Sequence, residues 1–202
     1  MTDKQKDFIE TVGKLTQADS HASQILPSLT IAQAILESSW GKSGLTVKAN
    51  ALFGIKATSS WTGRVYGCMT QECYDGVRFT TETAYFRAYG SWAESIADHG
   101  NFLCGLNRYK AVIGETDYKM ACRAIHAAGY ATDPTYADKL ISLIETYGLT
   151  QYDSVTVPET PPCPEQCPDT AGVRMLVDEI RAGTWGTDWE MNVTAVLHGL
   201  VG

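Results

Sequence analysis

Residues 28–41 read S-L-T-I-A-Q-A-I-L-E-S-S-W-G. Leu29, Ala32, Leu36 and Trp40 recur at the three- and four-residue steps of one helix face, which predicts a core helix about three turns long. Ser28 or Thr30 is the expected N-cap and Gly41 the stop. Glu37 falls off the apolar stripe, beside Gln33, Thr30 and Gly41. A glutamate so placed is ordinarily a solvated residue of an amphipathic helix. At a helix end beside an indole, however, its carboxyl can be half desolvated, which raises its pKa as a general acid near neutral pH requires.

On the N-terminal side, Phe8, Ile9, Val12 and Leu15 form one stripe, which predicts an opening amphipathic helix over 3–18 that ends in the polar run 17–20. On the C-terminal side, N-A-L-F-G-I-K at 50–56 is a short apolar turn. Over 64–89 the periodicity changes to alternation, with Val77, Phe79, Thr81, Thr83, Tyr85 and Tyr89 on one side. Asp75-Gly76 is a type I′ turn signal, so a β-hairpin is expected with Glu72 just before its tip. Ser91 to Glu94 is a capping box that opens a helix with Trp92, Ile96 and Phe102 or Leu103 inward, and His99 is read as a core or capping histidine. Asp117 caps the next helix, whose buried stripe is read as Met120, Ala121, Ala124, Ile125 and Ala128, with Gly129 at its end. Asp133-Pro134 starts the last, Asp133 as N-cap and Pro134 at the first position, with Tyr136, Leu140, Leu143 or Ile144 and Tyr147 inward and Gly148 as the stop. Tyr130 lies in the loop between these two helices.

Five short blocks in this order carry a resemblance. They are A-Q-A-I-L-E-S-S-W-G at 32–41, N-A-L-F-G-I-K at 50–56, T-Q-E at 70–72, F-R-A-Y-G-S-W-A-E-S-I-A-D-H at 86–99 and G-Y-A-T-D-P-T-Y-A-D-K-L at 129–140. Together they resemble the peptidoglycan-cleaving N-acetylglucosaminidases of glycoside hydrolase family 73. The resemblance implies a mainly helical, lysozyme-like α+β catalytic domain over 1–150 with one β-hairpin, in which the 50–56 segment packs under the catalytic helix. It implies hydrolysis of the β-1,4 bond after N-acetylglucosamine in peptidoglycan glycan strands, with Glu37 protonating the leaving oxygen and no cofactor. Glu72 matches the family's hairpin carboxylate, although Cys73 stands where the family more usually has tyrosine. Its role is left open between two routes. On an inverting route it is the base for water, with carboxyls about 6.5–9.5 Å apart. On the other the substrate's own N-acetyl group attacks, and Glu72 and Tyr130 orient that group or the water. Gln33, Phe53, Trp61, Asp133 and Tyr136 complete the expected site as substrate-binding residues, with core packing the competing role for the aromatics.

Two other classes fit the same residues. One is a wall-binding module that has kept the fold and lost activity, against which the presence of both Glu37 and Glu72 argues. The other is a lytic transglycosylase or a muramidase acting on the same glycan.

Composition narrows the partners. Sixteen basic against 23 acidic residues give a net charge of −7, with no Lys/Arg cluster, so nucleic acid is excluded as a partner. No apolar run approaches the roughly 20 residues that span a bilayer, so no membrane association is expected. The opening M-T-D-K-Q-K has no apolar region behind it and reads as no secretory signal. A protein made in the cytoplasm and released to the cell wall at lysis, as a phage endolysin is, fits that pattern. Of the six cysteines, Cys104 and Cys122 fall in helices and are read as buried free thiols. Cys163 and Cys167 offer two ligands without a matching pair, so no metal is expected.

Residues 151–170 hold five of the seven prolines and read as an extended linker. Residues 171–202 show two short helical periods with more apolar side chains than two such helices can bury. The reading is a small helical appendage that mediates self-association or binds the wall, with homo-oligomerisation favoured.

Overall fold

A computed structural model describes residues 1–73 and 79–154, with side chains described outside 69–82. The Asp75-Gly76 turn and the linker and appendage from residue 155 onward lie outside the described residues. Eight regular elements follow in order: α1 (Asp3–Ser23), α2 (Pro27–Ser38), α3 (Gly44–Ala49), β1 (Val65–Cys73), β2 (Phe79–Arg87), α4 (Trp92–Cys104), α5 (Tyr118–Ala127) and α6 (Tyr136–Tyr147). Two 3₁₀ turns, Asn107–Tyr109 and Leu149–Tyr152, complete the set. The fold is the expected α+β one: among the described residues, helices pack around α2, with one antiparallel hairpin beside them.

The helix at the centre is more deeply buried than its stripe predicts. Every residue of α2 from Pro27 to Ile35 is buried, including Ser28, Thr30 and Gln33 on the face that carries Glu37. A helix enclosed on all sides needs no amphipathic pattern, and α1, α5, α6 and the second 3₁₀ turn all pack on it. Its start also differs from expectation. Neither Ser28 nor Thr30 is the N-cap; Leu26 is, with no side-chain bond, and Pro27 occupies the first turn, where a missing N–H costs nothing. The free Ser28 N–H instead donates to Asp153 Oδ1 at 2.7 Å. A carboxylate at a helix N-terminus satisfies an orphan donor and complements the helix dipole.

That contact ties the end of the described chain to the core. Gln17 Nε2 donates to the Tyr152 carbonyl at 3.1 Å, and the Tyr152 ring covers Gly13 so closely that no Cβ fits there. The compact unit accordingly runs Met1–Val155, past the residue-150 boundary read from composition. A chain ending at residue 150 is expected to melt several degrees below one ending at 155. A lost cap alone costs about 0.5–2 kcal/mol, at roughly 2–4 °C per kcal/mol for this size. Equal melting temperatures in a thermal scan would show that 151–153 contribute nothing.

The far end of α2 turns through three successive left-handed residues, Ser39, Trp40 and Gly41, with φ of 50°, 62° and 74°. Ser38 holds this turn: its hydroxyl donates to the Ala34 carbonyl at 2.5 Å and accepts from the Gly41 N–H at 2.7 Å. Gly41 is required twice over, since a Cβ there would meet Phe8 and Trp92 at 3.0–3.2 Å in a backbone region that side chains disfavour. Phe8 packs edge-on between Trp40 and Trp92, and Trp40 against Tyr147. The aromatic cluster anchors this turn, which begins two residues after Glu37.

Elsewhere the expected elements form with shifts of detail. α1 runs to Ser23, past the polar run at 17–20, and closes at Gln24 in a left-handed cap. The six-residue α3, capped by the Ser43 hydroxyl, was not expected because it is too short to show a period. β1 and β2 pair antiparallel with Val65 opposite Arg87 and Glu72 opposite Thr80. On α4 the Ser91 hydroxyl accepts from the Glu94 N–H, but the Glu94 carboxylate reaches back to Gly90 N–H rather than to Ser91. On α5 the buried face is Ala121, Cys122 and Ile125, while Met120 is 50 % exposed; the stripe lies one position round from the one expected, with the thiol in place of the thioether. Cys104 is exposed rather than buried, and its thiol donates to the Ser23 carbonyl at 3.4 Å. α6 starts at Tyr136 with Thr135 as N-cap. Asp133 caps the turn before it, accepting from the Thr135 N–H at 2.9 Å and the Thr135 hydroxyl at 2.7 Å.

The hairpin is braced at its base. Arg87 donates to both carboxylate oxygens of Asp98 at 2.9 Å, and Tyr89 donates to Asp98 Oδ2 at 2.7 Å. Both Arg87 bonds come from the one nitrogen Nη1, a charge-assisted contact that is little exposed on either side. It locks the outgoing strand onto α4.

Candidate active site

Glu37 reaches the surface on the last turn of α2, at the wall of a groove of about 480 Å³ that Phe53, Lys56, Arg108, Tyr109 and Tyr130 also line. The residue as a whole is exposed, while its carboxyl is backed by the buried Tyr136. The protein behind its carboxyl excludes enough water to raise its pKa, opposed by a hydrogen bond from Tyr136. Burial wins, which leaves a carboxylic acid able to hold a proton at a higher pH than a free one.

The bond that opposes it comes from inside. Tyr136, 3 % exposed, donates to Glu37 Oε1 at 2.9 Å and accepts from Gln33 Nε2 at 3.2 Å. Gln33 is completely buried, one helical turn before Glu37. Neither residue can touch a sugar; both stand behind the acid, which corrects the substrate-binding role expected for them.

Phe53 and Tyr130 do line the groove, and both rest on His99. The Phe53 ring stacks on the imidazole at 3.9 Å with planes 17° apart. Tyr130 meets His99 edge-on at 5.9 Å and lies nearly parallel to Tyr136 at 5.8 Å. Burial raises the pKa of the Tyr130 hydroxyl, and the nearby Tyr136 and Glu37 reinforce the effect, so it stays protonated and able to donate. His99 is the core histidine expected. It is fully buried, neither ring nitrogen has a partner among the described residues, and burial lowers its pKa to about 3. The unfolded chain binds this proton below about pH 6.5 and the native state does not. Stability conferred by a neutral His99 is therefore complete above about pH 6.5 and is lost as the pH falls toward 3. A melting-temperature profile should slope downward over that interval, and His99→Phe should flatten it; an unchanged slope would mean that other groups govern acid stability.

The structure does not bring Trp61 or Asp133 to this groove. Trp61 Nε1 donates to the Arg64 carbonyl at 2.9 Å, and its ring packs on Tyr89 under the Arg87 guanidinium, 4.6 Å from the ring centre. It belongs to the small cluster that seats the hairpin on Ala49, Ala51 and Ala88. Asp133 is held by Lys139 and by its own turn, which lower its pKa. Glu72 is placed by its backbone opposite Thr80 near the end of β1, and its side chain lies outside the described residues. Arg108 and Tyr109, which line the groove, were missed in the sequence. They sit in a 3₁₀ turn of three residues, Asn107–Tyr109, too short for a periodic signal. The Arg108 guanidinium lies over the Tyr109 ring at 4.6 Å.

Among the described residues no group of three or more His, Cys, Asp or Glu side chains is arranged to hold a metal, and no helix is long and apolar enough to cross a membrane. The groove thus combines one carboxyl of raised pKa, two basic residues, Lys56 and Arg108, and an aromatic wall in which Phe53 and Tyr109 are nearly buried and Tyr130 is more open. That combination suits acid-assisted cleavage of a polyhydroxylated ligand.

Comparison with known proteins agrees. The profile of the glucosaminidase family, described as mannosyl-glycoprotein endo-beta-N-acetylglucosaminidase, matches residues 13–149. The exo-glucosaminidase LytG of Bacillus subtilis is 42% identical over 158 residues, covering 76% of this chain and 55% of that protein. The catalytic domain of the autolysin Auto from Listeria monocytogenes superposes with a TM-score of 0.69 at 34% identity, covering 76% of this chain and 89% of that one. The glycoside hydrolase domain of FlgJ from Salmonella typhimurium, truncated at its C-terminus, superposes with a TM-score of 0.59 at 34% identity, covering 71% and 97%. The chain spans about half the length of the curated relatives it matches, 55% of LytG and 47% of the FlgJ of Vibrio parahaemolyticus. With a family profile over most of its length and relatives well above 30% identity, the chain belongs to the glucosaminidase family, glycoside hydrolase family 73.

Proposed function

We propose that this protein hydrolyses the β-1,4 bond after N-acetylglucosamine in the glycan strands of bacterial peptidoglycan, with Glu37 as general acid. The observation that carries the reading is the Glu37 carboxyl itself, at the wall of a groove that Tyr130 also lines, held from behind by the Tyr136 hydroxyl and with its pKa raised by partial desolvation. Its proton passes to the glycosidic oxygen as the C1–O bond breaks, and the sugar takes on oxocarbenium character. Water adds to C1 and gives up a proton, so that one water is consumed for each bond cut. Either Glu72 receives that proton directly, or the substrate's acetamido oxygen first closes on C1 and water opens the ring so formed, returning its proton to the Glu37 carboxylate. Tyr130, protonated and at the groove wall, is suited to donate to the acetamido group on the second route.

Relatives named exo-glucosaminidase and peptidoglycan hydrolase support the substrate class. One named probable N-acetylmuramidase, from Lactococcus lactis and 33% identical over 162 residues, favours a second reading, cleavage after N-acetylmuramic acid. Mass spectrometry of borohydride-reduced digests of purified cell walls separates these. Reduced N-acetylglucosamine at the new ends supports the proposal, reduced N-acetylmuramic acid supports the second reading, and anhydro ends would identify a lytic transglycosylase. A turbidity assay without clearing would leave only a binding module. A peptidoglycan substrate puts the proposed site of action at the cell wall.

A further inference from the structure

We propose that Gln33 and Tyr136 form a buried relay that fixes the catalytic proton of Glu37 on Oε2, the oxygen left free to face the groove. The inference rests on the reading of Glu37 as the acid and adds two positioning residues to it. A tyrosine hydroxyl carries one hydrogen and accepts through its oxygen. Gln33 Nε2 donates to that oxygen at 3.2 Å, so the single hydrogen of Tyr136 is directed at Glu37 Oε1, 2.9 Å away. An oxygen that is already accepting is the poorer place for the acid's own proton, which therefore sits on Oε2. Without the relay either oxygen can carry it, and part of the neutral acid presents the wrong face to the glycosidic oxygen.

The rest of the site holds the relay still. Gln33 is enclosed in α2 and fully buried, and the Tyr136 ring lies against Tyr130 on one side and His126 at 6.3 Å on another. The same hydrogen bond stabilises the carboxylate left after proton transfer, the state in which it is strongest. The titratable and charged groups around the pair are few. Tyr130 of the α5–α6 loop faces both Glu37 and Tyr136, Cys122 and His126 of α5 face Tyr136, and Lys56 and Arg108 share the groove with Glu37.

Tyr136→Phe removes one oxygen and keeps the stacked ring. It should lower kcat on a soluble peptidoglycan oligomer about tenfold, the scale of one hydrogen bond to a charged group, with KM changed less than about twofold. A bond that favoured the charged form is lost, so the pKa of Glu37 rises and the alkaline limb of kcat/KM moves to higher pH. A lower plateau with a higher limb is a pair of changes that loosened packing does not produce. The Glu37 carboxyl carbon, followed by NMR in protein labelled at glutamate and assigned by Glu37→Gln, should titrate at correspondingly higher pH in Tyr136→Phe. Gln33→Met, which keeps the volume and removes the donor, should shift it in the same direction by less, and carries the test if Tyr136→Phe does not fold. Wild-type titration of Glu37 in Tyr136→Phe overturns the relay, and wild-type titration in Gln33→Met removes Gln33 from it. Full activity of Glu37→Gln would instead remove the acid, while the titration would still report the hydrogen bond, so the two failures are distinguishable.

Discussion

Glu37→Gln should leave a folded protein with almost no lytic activity. The amide is nearly isosteric and keeps an oxygen for the Tyr136 hydroxyl, so the geometry at Oε1 survives while the transferable proton does not. A general acid contributes about a hundred- to ten-thousand-fold, and clearing of purified cell walls should fall by that factor. Stability should move the other way. The native pKa of Glu37 is raised by desolvation, so whatever its carboxyl contributes to folding is present below the unfolded carboxyl pKa and is lost as the pH rises through the native value. At neutral pH the ionised carboxylate is held where it is poorly solvated, a cost the amide does not carry. Glu37→Gln should then melt no lower than wild type at pH 7, and any advantage should vanish in acid. Loss of activity together with a lower melting temperature would point to a structural role, and lysis at the wild-type rate would end the assignment.

What the sequence showed plainly and what it hid follow from the range of the forces concerned. Ser91, Asp117, Gly129 and Gly148 were read correctly as caps and stops because capping is decided within three or four residues. Glu37, Phe53 and Tyr130 were located by family blocks that keep their order along the chain, and all three line one groove. Gln33 and Tyr136 were assigned to substrate because polar and aromatic residues near an acid invite that reading. Their true place depends on the enclosure of α2 by elements more than a hundred residues away, as the Gln33–Tyr136 separation of 103 shows. The Asp153 cap on Ser28, 125 residues distant, was hidden for the same reason. Trp61 looked like a sugar platform by its type alone. Its indole is committed to the Arg64 carbonyl three residues on and lies under the Arg87 guanidinium from β2, and the second of these contacts no local pattern announces.

The hairpin carboxylate gives the second large effect. Glu72→Gln should cost a rate factor comparable with that of the acid, in the range of about a hundred- to ten-thousand-fold, while the melting temperature barely moves. Glu72 stands opposite Thr80, near the tip end of a two-stranded sheet. The base of that sheet is braced, with Arg87 and Tyr89 held by Asp98. A nearly isosteric substitution on that strand, away from the brace, is expected to move stability by no more than about 0.5 kcal/mol. The two routes for water then predict different rescue. If Glu72 is the base of an inverting reaction, azide added to Glu72→Ala should restore turnover and give a glycosyl azide of anomeric configuration opposite to that of the substrate. If the acetamido group attacks, azide should not rescue, a thiazoline analogue of N-acetylglucosamine should inhibit the wild-type enzyme, and Tyr130→Phe should lower kcat more than it raises KM. A Glu72→Gln protein that keeps most of its rate would place Glu72 outside the chemistry and leave Glu37 as the single essential carboxyl.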